Sequence, residues 1–570
     1  MAAFHEARQR VGLLGAPRPE RTVNHSPTTP TREPPETATP LPSVTVAPPA
    51  EAAPAVPDAA HPWLVALSVL AGTFMVVLDT TVVNVSLPHI AGTLSASVQE
   101  ATWALTSYLA ANAVVLPMTA WLARMVGRKR LLVLAVTGFT TASALCGMAP
   151  NLMMLIAFRV VQGMTGGVMQ PLSQAVMLEA FRPRDRGKAM GLWSIGIIVA
   201  PILGPVLGGW LTDNLSWRWV FYVNVPVGIV AIVMIRTFIT DPRYIRRPER
   251  IDGYGLFLLA IGIGALQIFL DKGEEEDWLS SGWIVGLLIV AVVFLIALVI
   301  RELTARQPVV DLRAFKERTY AVGVALITVM AFALYGSLVM LPVFLQVLLG
   351  YPALQTGITM MPRGYASLFA TPLVGLIVAR VDPRKLLAIG FVLGAGSLYW
   401  FSHLNLDVGY WNLFWPQFLQ GISFSLLMVP LTVVTMDRIK QEAIGNAASL
   451  FNLMRNLGGS IGIAVTQTLL DRFRQGQVNI LGSHVSAYSP GTRMTLEGLR
   501  RMYQAHGSDP TTAAHQANAA VWGMVQRQAA MISYLDIFRL LTLIFLLVIP
   551  FLFLLKKLTH QIKRAPAAPD

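Results

Sequence analysis

One acid and three bases sit where apolar chain surrounds them: Asp79 in VLDTTVVNVSLP (77–88), Arg159 in LIAFRVVQG (155–163), Arg363 in MMPRG (360–364) and Arg455 in FNLMRNLGG (451–459). A bare charge in hydrocarbon is costly, so each of these residues must be neutralised, paired or exposed to a wet cavity. Burial and a nearby cation act on a carboxylate's proton affinity in opposite senses, and a site balanced between them can load and release protons. Counted along the helices at about 1.5 Å per residue, Asp79 and Arg159 differ in depth by roughly 6 Å, within reach of an arginine side chain. The plainer alternatives are a hydrogen-bonded structural aspartate and an arginine that caps backbone carbonyls. Arg363 and Arg455 are functional candidates on the same ground, or they satisfy carbonyls near Pro362 and the Gly458–Gly459 pair.

The elements that must position these residues follow from composition. Of 570 residues, 54% are hydrophobic and only 13% are charged, about half the charge of a soluble domain, and mean hydropathy is +0.57. Apolar runs recur at 63–88, 101–122, 131–149, 151–180, 189–212, 219–239, 253–270, 283–301, 320–348, 355–379, 386–403, 412–436, 446–470 and 535–555. Each is long enough as a helix to cross ~30 Å of hydrocarbon, and none alternates like a barrel strand. The expected class is therefore all-α integral membrane protein, with fourteen transmembrane helices and both termini on one side.

Basic loops such as FRPRDRGK (181–188), DPRYIRRPERID (241–252) and RVDPRK (380–385) alternate with acidic or neutral ones such as DKGEEEDW (271–278). The basic set and both termini are expected in the cytoplasm, and the long outer loop 471–534 escapes the charge rule through its length, with its second half, AAHQANAAVWGMVQRQAAMISYLDIF (513–538), expected to be helical and continuous with the last span. The net charge of +13 thus reflects topology, not a nucleic-acid surface. Residues 1–60 and 557–570 read as cytoplasmic tails, the first of them disordered and rich in Pro, Thr and Ala. The single cysteine, Cys146, rules out a disulfide framework. No phosphate-binding glycine loop and no histidine pair at metal-ligand spacing occur, so neither a nucleotide-driven pump nor a metalloenzyme is expected, and no cofactor or metal.

An internal repeat organises the spans. ARMVGRKRLL (123–132) after the second span parallels ARVDPRKLLA (379–388) after the tenth, and QGMTGGVMQP (162–171) in the fourth parallels QGISFSLLMVP (420–430) in the twelfth. The expected domains are a six-helix half at 61–240, two inserted helices at 241–319 and a second six-helix half at 320–556. GIIVAPILGPVLGG (196–209) places Gly196, Ala200, Gly204 and Gly208 on one helix face, where small residues admit a close neighbour.

With those segments, SWRWVFYVNVPVG (216–228), LPVFLQVLLGYPALQTGITMMPRG (341–364), GNAASLFNLMRNLGGSIGIA (445–464) and QRQAAMISYLDIF (526–538) in order, the chain resembles a known family. It is similar to the fourteen-helix drug:proton antiporters of the major facilitator superfamily, the EmrB/QacA type, and most to the EmrB side. The resemblance implies proton coupling through Asp79 and Arg159. It implies a conformational motif of Gly196, Pro201, Gly204, Pro205, Gly208 and Gly209, and a cytoplasmic loop motif of Arg124, Gly127, Arg128 and Lys129. The loop departs from the family form at Ala120 and Arg124, so orientation by charge is expected of it and a charge relay is not.

The substrate cavity is expected to include Asn84, Gln162, Gln346, Arg363, Asn452 and Arg455. Its neutral to positive character suits lipophilic neutral or weakly acidic compounds. The implied activity is proton-driven export of lipophilic drugs and toxic compounds from a bacterial inner membrane, with a periplasmic adaptor and an outer-membrane channel as partners. A dedicated exporter of one metabolite or fatty acid is the alternative within transporters; a transport-inactive receptor on the same fold is the alternative outside them.

Overall fold

The computed structural model describes residues 61–182, 185–241, 252–305, 308–486 and 488–556, and every regular element among them is helical. A bilayer offers backbone groups no other way to satisfy one another inside a single segment. The first set comprises α1 (Pro62–Thr93), α2 (Val98–Val126), α3 (Arg128–Met148), α4 (Leu152–Ala180), α5 (Arg186–Asn214), the short α6 (Trp219–Tyr222) and α7 (Asn224–Phe238). An inserted pair follows, α8 (Gly253–Lys272) and α9 (Gly282–Thr304). The last set comprises α10 (Arg318–Val343), α11 (Ala353–Ile377), α12 (Pro383–Phe401), α13 (Tyr410–Met436), α14 (Ile444–His484), α15 (Pro490–Ala505) and α16 (Pro510–Val548).

All fourteen expected spans fall on these helices, the sixth on α6 and α7 together. By length and hydropathy alone, ten described helices are apolar enough to cross a membrane, or eleven with α5, which bends by 40° between Pro201 and Val206. Hydropathy by itself therefore does not reach the count of fourteen. After residue 470 the helical second half is present in the 39-residue α16, and the expected loop before it is helical too: α14 continues to His484, and α15 packs against α16. Short polar residues start the helices, with a Ser97–Glu100 capping box on α2, Asn151 on α4 and Asp509 on α16.

Packing runs within each set first. α1 packs on α4, α5 and α7, and α2 on α4; in the last set α10 packs on α14, α11 on α13, and α12 on α13 and α16. The two sets meet where α5 touches α11 and α13, and where α14 touches α2 and α4. On the face of the basic loops this seam is tight: a Cβ on Gly187 of α5 would lie 2.7 Å from the Gly375 carbonyl of α11 and 2.3 Å from Val378. The α8–α9 pair is tied to both sides, since Lys272 donates to Thr102 of α2 at 2.5 Å, while Gln267 donates to Ser460 and Trp278 to Thr468 of α14 at 3.0 and 2.8 Å.

Outside the spans, at the α8–α9 turn, burial and a hydrogen-bonded carboxylate, Asp471, push Glu274 up to about 7 from 4.5. The folded chain thus holds a proton that the unfolded chain releases, so this group's stabilisation is complete below about pH 4.5 and is lost as pH rises towards 7. Glu274→Gln should flatten that part of the stability–pH profile and raise Tm at pH 8 by ~1–2 °C, a shift kept small by chain size. Thermal unfolding across pH 4.5–8 checks it.

Candidate functional site

Asp79 and Arg159 form an ion pair sealed inside the first helix set. Asp79 is 1% exposed and Arg159 is 0% exposed. Arg159 Nη1 donates to Asp79 Oδ2 at 2.5 Å and to Gln162 Oε1 at 2.8 Å, and its Nε donates to the Ala104 carbonyl at 2.9 Å. Gln162 and Asn224 each donate to Asp79 Oδ1 at 2.9 Å, and Asn224 also donates to Ser143 Oγ at 3.0 Å. Three donors converge on two acceptor oxygens, a pattern that suits a carboxylate. The Tyr108 ring covers the guanidinium, with Arg159 Cζ 4.2 Å from its centroid.

The helices dictate this arrangement. Arg159 and Gln162 are three residues apart on one face of α4, and the α6–α7 break brings Asn224 in from the start of α7. The cost of burying two charges is offset only when geometry and extra hydrogen bonds are good; here they satisfy both Asp79 oxygens, while Arg159 Nη2 is buried with no hydrogen-bond partner among the described residues. Gln162 belongs to this cluster. Asn224 and Ser143 were not anticipated, although a lone asparagine in VFYVNVPVG (220–228) was a signal of the same kind as Asp79.

A second polar group spans the seam between the sets. Asn452 of α14 donates to Gln174 of α4, and Arg455 Nη2 donates to Gln170 Oε1 at 2.7 Å. Arg455 Nε and Nη1 are buried without a hydrogen-bond partner. Arg363 of α11 donates to Gln420 of α13 and faces a narrow cavity of about 80 Å³, walled by Ile197 and Pro201 of α5 and by Tyr335, Met360 and Phe424. No acid lines that cavity. Ligand pockets usually measure ~300–1,000 Å³, so this seam is nearly closed. A roomier pocket of about 560 Å³, lined by Arg474, Arg527 and Tyr534, opens within the last helix set alone and touches none of the buried cations.

The remaining expected residues have plainer surroundings. Asn84 and Gln346 are exposed and belong to neither cluster. On α5, Gly204 and Gly208 admit α1: a Cβ would lie 2.1 Å from Thr81 Oγ1 and 2.9 Å from the Val82 carbonyl, and one on Gly196 would meet Leu70 at 2.5 Å. Gly209 has open space, Pro201 lines the cavity, and the side chain of Pro205 lies outside the described residues. The close backbone approaches between α5 and α11 come instead at Gly187, Gly191 and Gly375.

In the loop motif, Gly127 adopts φ 94°, which suits glycine. Arg128 pairs with Glu179 of α4, Asp241 accepts from the Lys129 amide at 2.8 Å, and Arg124 is exposed at the end of α2. Asp241 thus supplies a carboxylate at the start of α3 from beyond α7, where it favours the helix dipole.

Comparison with known proteins agrees with this architecture. The family described as Major Facilitator Superfamily matches residues 69–463. The fatty acid resistance protein FarB of Neisseria gonorrhoeae is 37% identical over 511 residues, 89% of this chain and 98% of that protein. The multidrug export protein EmrB of Escherichia coli strain K12 is 38% identical over 84% of this chain and 92% of its own length. The human organic anion transporter MFSD10 has a similar fold, with a TM-score of 0.54 at 12% identity over 85% of this chain and 99% of that one. The helical architecture, the family match and these relatives together place the chain in the major facilitator superfamily, beside the EmrB-type exporters, as a membrane transporter and not an enzyme.

Proposed function

We propose that this transporter exports lipophilic compounds in exchange for protons, by alternating access between the two helix sets. The observation that carries this reading is the Asp79–Arg159 pair: a buried acid with a cation, two amides and no metal-ligand cluster among the described residues. Protonation of Asp79 removes its charge and leaves Arg159 without a counter-ion, so the two protonation states favour different packing of α1 against α4. The acid's O–H then needs an acceptor, and a turn of the Asn224 amide offers its unpartnered Oδ1. Energy comes from the proton gradient and no bound cofactor is required. The basic loops and both termini face the cytoplasm of a bacterial inner membrane.

The extended helices α14, α15 and α16 rise from the opposite face and offer a surface on which a periplasmic adaptor leading to an outer-membrane channel can dock. A narrower reading, export of one fatty acid or metabolite, is favoured by the FarB relative and by the two buried arginines, Arg363 and Arg455, that have no acid partner among the described residues. The test is transport in proteoliposomes: an imposed pH gradient, without nucleotide, should drive uptake of a lipophilic dye and dissipate as it does so. Dye movement that ignores the gradient would contradict antiport.

A further inference from the structure

The buried cluster around Asp79 has a counterpart in the last helix set, and the counterpart lacks its acid. In the first set, Gln162 of α4 accepts from Arg159 at 2.8 Å through Oε1 and donates to Asp79 of α1 at 2.9 Å through Nε2. In the second, Gln420 of α13 accepts from Arg363 of α11 through Oε1 and donates to Ser337 of α10 at 3.0 Å through Nε2. The glycine after each glutamine packs on the same place of the neighbouring helix. A Cβ on Gly163 would lie 2.3 Å from the Tyr108 carbonyl of α2, and one on Gly421 would lie 2.2 Å from the Arg363 carbonyl of α11.

The two clusters therefore share a backbone frame and differ in chemistry. Ser337 stands where the first cluster has Asp79, and the guanidinium has moved from α4 to α11, into the place of Tyr108. Gln417, at the position of Arg159, donates to the Thr359 carbonyl at 2.7 Å and leaves its Oε1 unpartnered. Each guanidinium keeps one buried nitrogen without a partner among the described residues, Arg159 Nη2 and Arg363 Nε, but Arg159 has a carboxylate beside it, whereas no carboxylate lies within ion-pair distance of Arg363 among the described residues. A cation left in low dielectric without an anion is costly. Unlike the Asp79 cluster, this one opens on the cavity at the seam, whose other walls are apolar and aromatic apart from Ser367.

We infer that the Arg363–Gln420–Ser337 cluster is an anion-head site: the carboxylate of an amphiphilic substrate takes the place that Asp79 fills in the other half, with its apolar tail between α5 and α11. The cavity volume of about 80 Å³ accommodates a head group, not a whole ligand, so the tail enters as the seam opens. Arg363 supplies the charge and a planar donor edge matched to a carboxylate, and Gln420 and Ser337 fix its orientation. This rests on the exporter reading, and its test is an equilibrium binding measurement that neither uses nor needs a proton gradient.

The full-length transporter in lipid nanodiscs is titrated with radiolabelled dodecanoate and dodecan-1-ol, with empty nanodiscs subtracted. The wild type should bind dodecanoate at least ~10-fold more tightly than the alcohol, a ratio worth ~1.4 kcal/mol. Ser337→Asp supplies the missing internal acid and should erase that preference; Ser337→Asn should keep it. Arg363→Gln should erase it too, which keeps the test valid if Ser337→Asp fails to fold. Equal affinity of the wild type for acid and alcohol, or an undiminished preference in Arg363→Gln, would overturn the assignment.

Discussion

Asp79→Asn is expected to reduce proton-driven accumulation of substrate to the level of empty vesicles. The substitution keeps the shape of the side chain but places an NH2 group among donors from Arg159, Gln162 and Asn224. Removing one member of a buried pair leaves the other charge uncompensated, at a cost of about 3–5 kcal/mol, so the single variant should also unfold more readily. A double variant separates the two effects. Asp79→Asn with Arg159→Gln exchanges the ion pair for two neutral amides and should recover much of the stability, since neutral replacement of a buried pair is often tolerated. It should still fail to accumulate substrate. If the double variant transported like the wild type, the pair would be structural only and the coupling site would lie elsewhere. Thermal unfolding and gradient-driven uptake, measured on the same preparations, give both halves of the comparison.

The second large effect concerns the seam. Gly187→Val places methyl groups where the Gly375 carbonyl and Val378 already lie 2.7 and 2.3 Å from the position of a Cβ. The first of these is backbone and cannot swing away. The basic-loop face should therefore stay open, transport should fall at least ~100-fold, and the protein should remain folded, because Gly187 does not pack inside either helix set. Asn452, fully buried against Gln174 in the closed seam, reports the change. In a Cys146→Ser background, a thiol at Asn452→Cys should react slowly when Gly187 is present and at least ~10-fold faster in the Gly187→Val protein. Gly209→Ala serves as the control, since open space surrounds that position, and it should change stability by no more than ~0.5 kcal/mol.

The contrast between Gly187 and Gly209 also marks what the sequence could tell. Glycines at four-residue spacing in GIIVAPILGPVLGG announced a close helix contact, and one exists through Gly204 and Gly208, but against α1 inside the same set. Periodicity gives the face of a helix and not the identity of its neighbour. Gly187 and Gly191, which meet α11, show the same four-residue spacing, and Gly375 stands alone between Val374 and Leu376.

The buried charges were legible for a simpler reason: one acid in twenty apolar residues needs an explanation whatever the fold. That reasoning found Asp79, Arg159, Arg363 and Arg455, but it assigned Gln162 to the substrate cavity, whereas Gln162 bridges Arg159 and Asp79. Asn84 and Gln346 were chosen on polarity alone, and both are exposed. Asn224 and Ser143 escaped because their meeting with Asp79 depends on three separate helices. The second half of 471–534 reads as a helix running into the last span, as α16 does, but the first half reads as loop by its polarity, and an extended α14 needs no apolar surface once it leaves the bilayer.

The central claim, that substrate and proton occupy the transporter in alternation through Asp79, is tested most directly by proton release on binding. Linkage requires that a ligand weakened by protonation must itself expel protons when it binds. The purified protein in weakly buffered detergent solution is mixed, over a series of starting pH values, with a lipophilic anion that carries no proton of its own, such as tetraphenylborate, and the pH is followed with an indicator. The expected result is acidification by the wild type that saturates with ligand and is absent in Asp79→Asn. Saturable binding by the wild type with no change in pH, or release of equal size from Asp79→Asn, would contradict it.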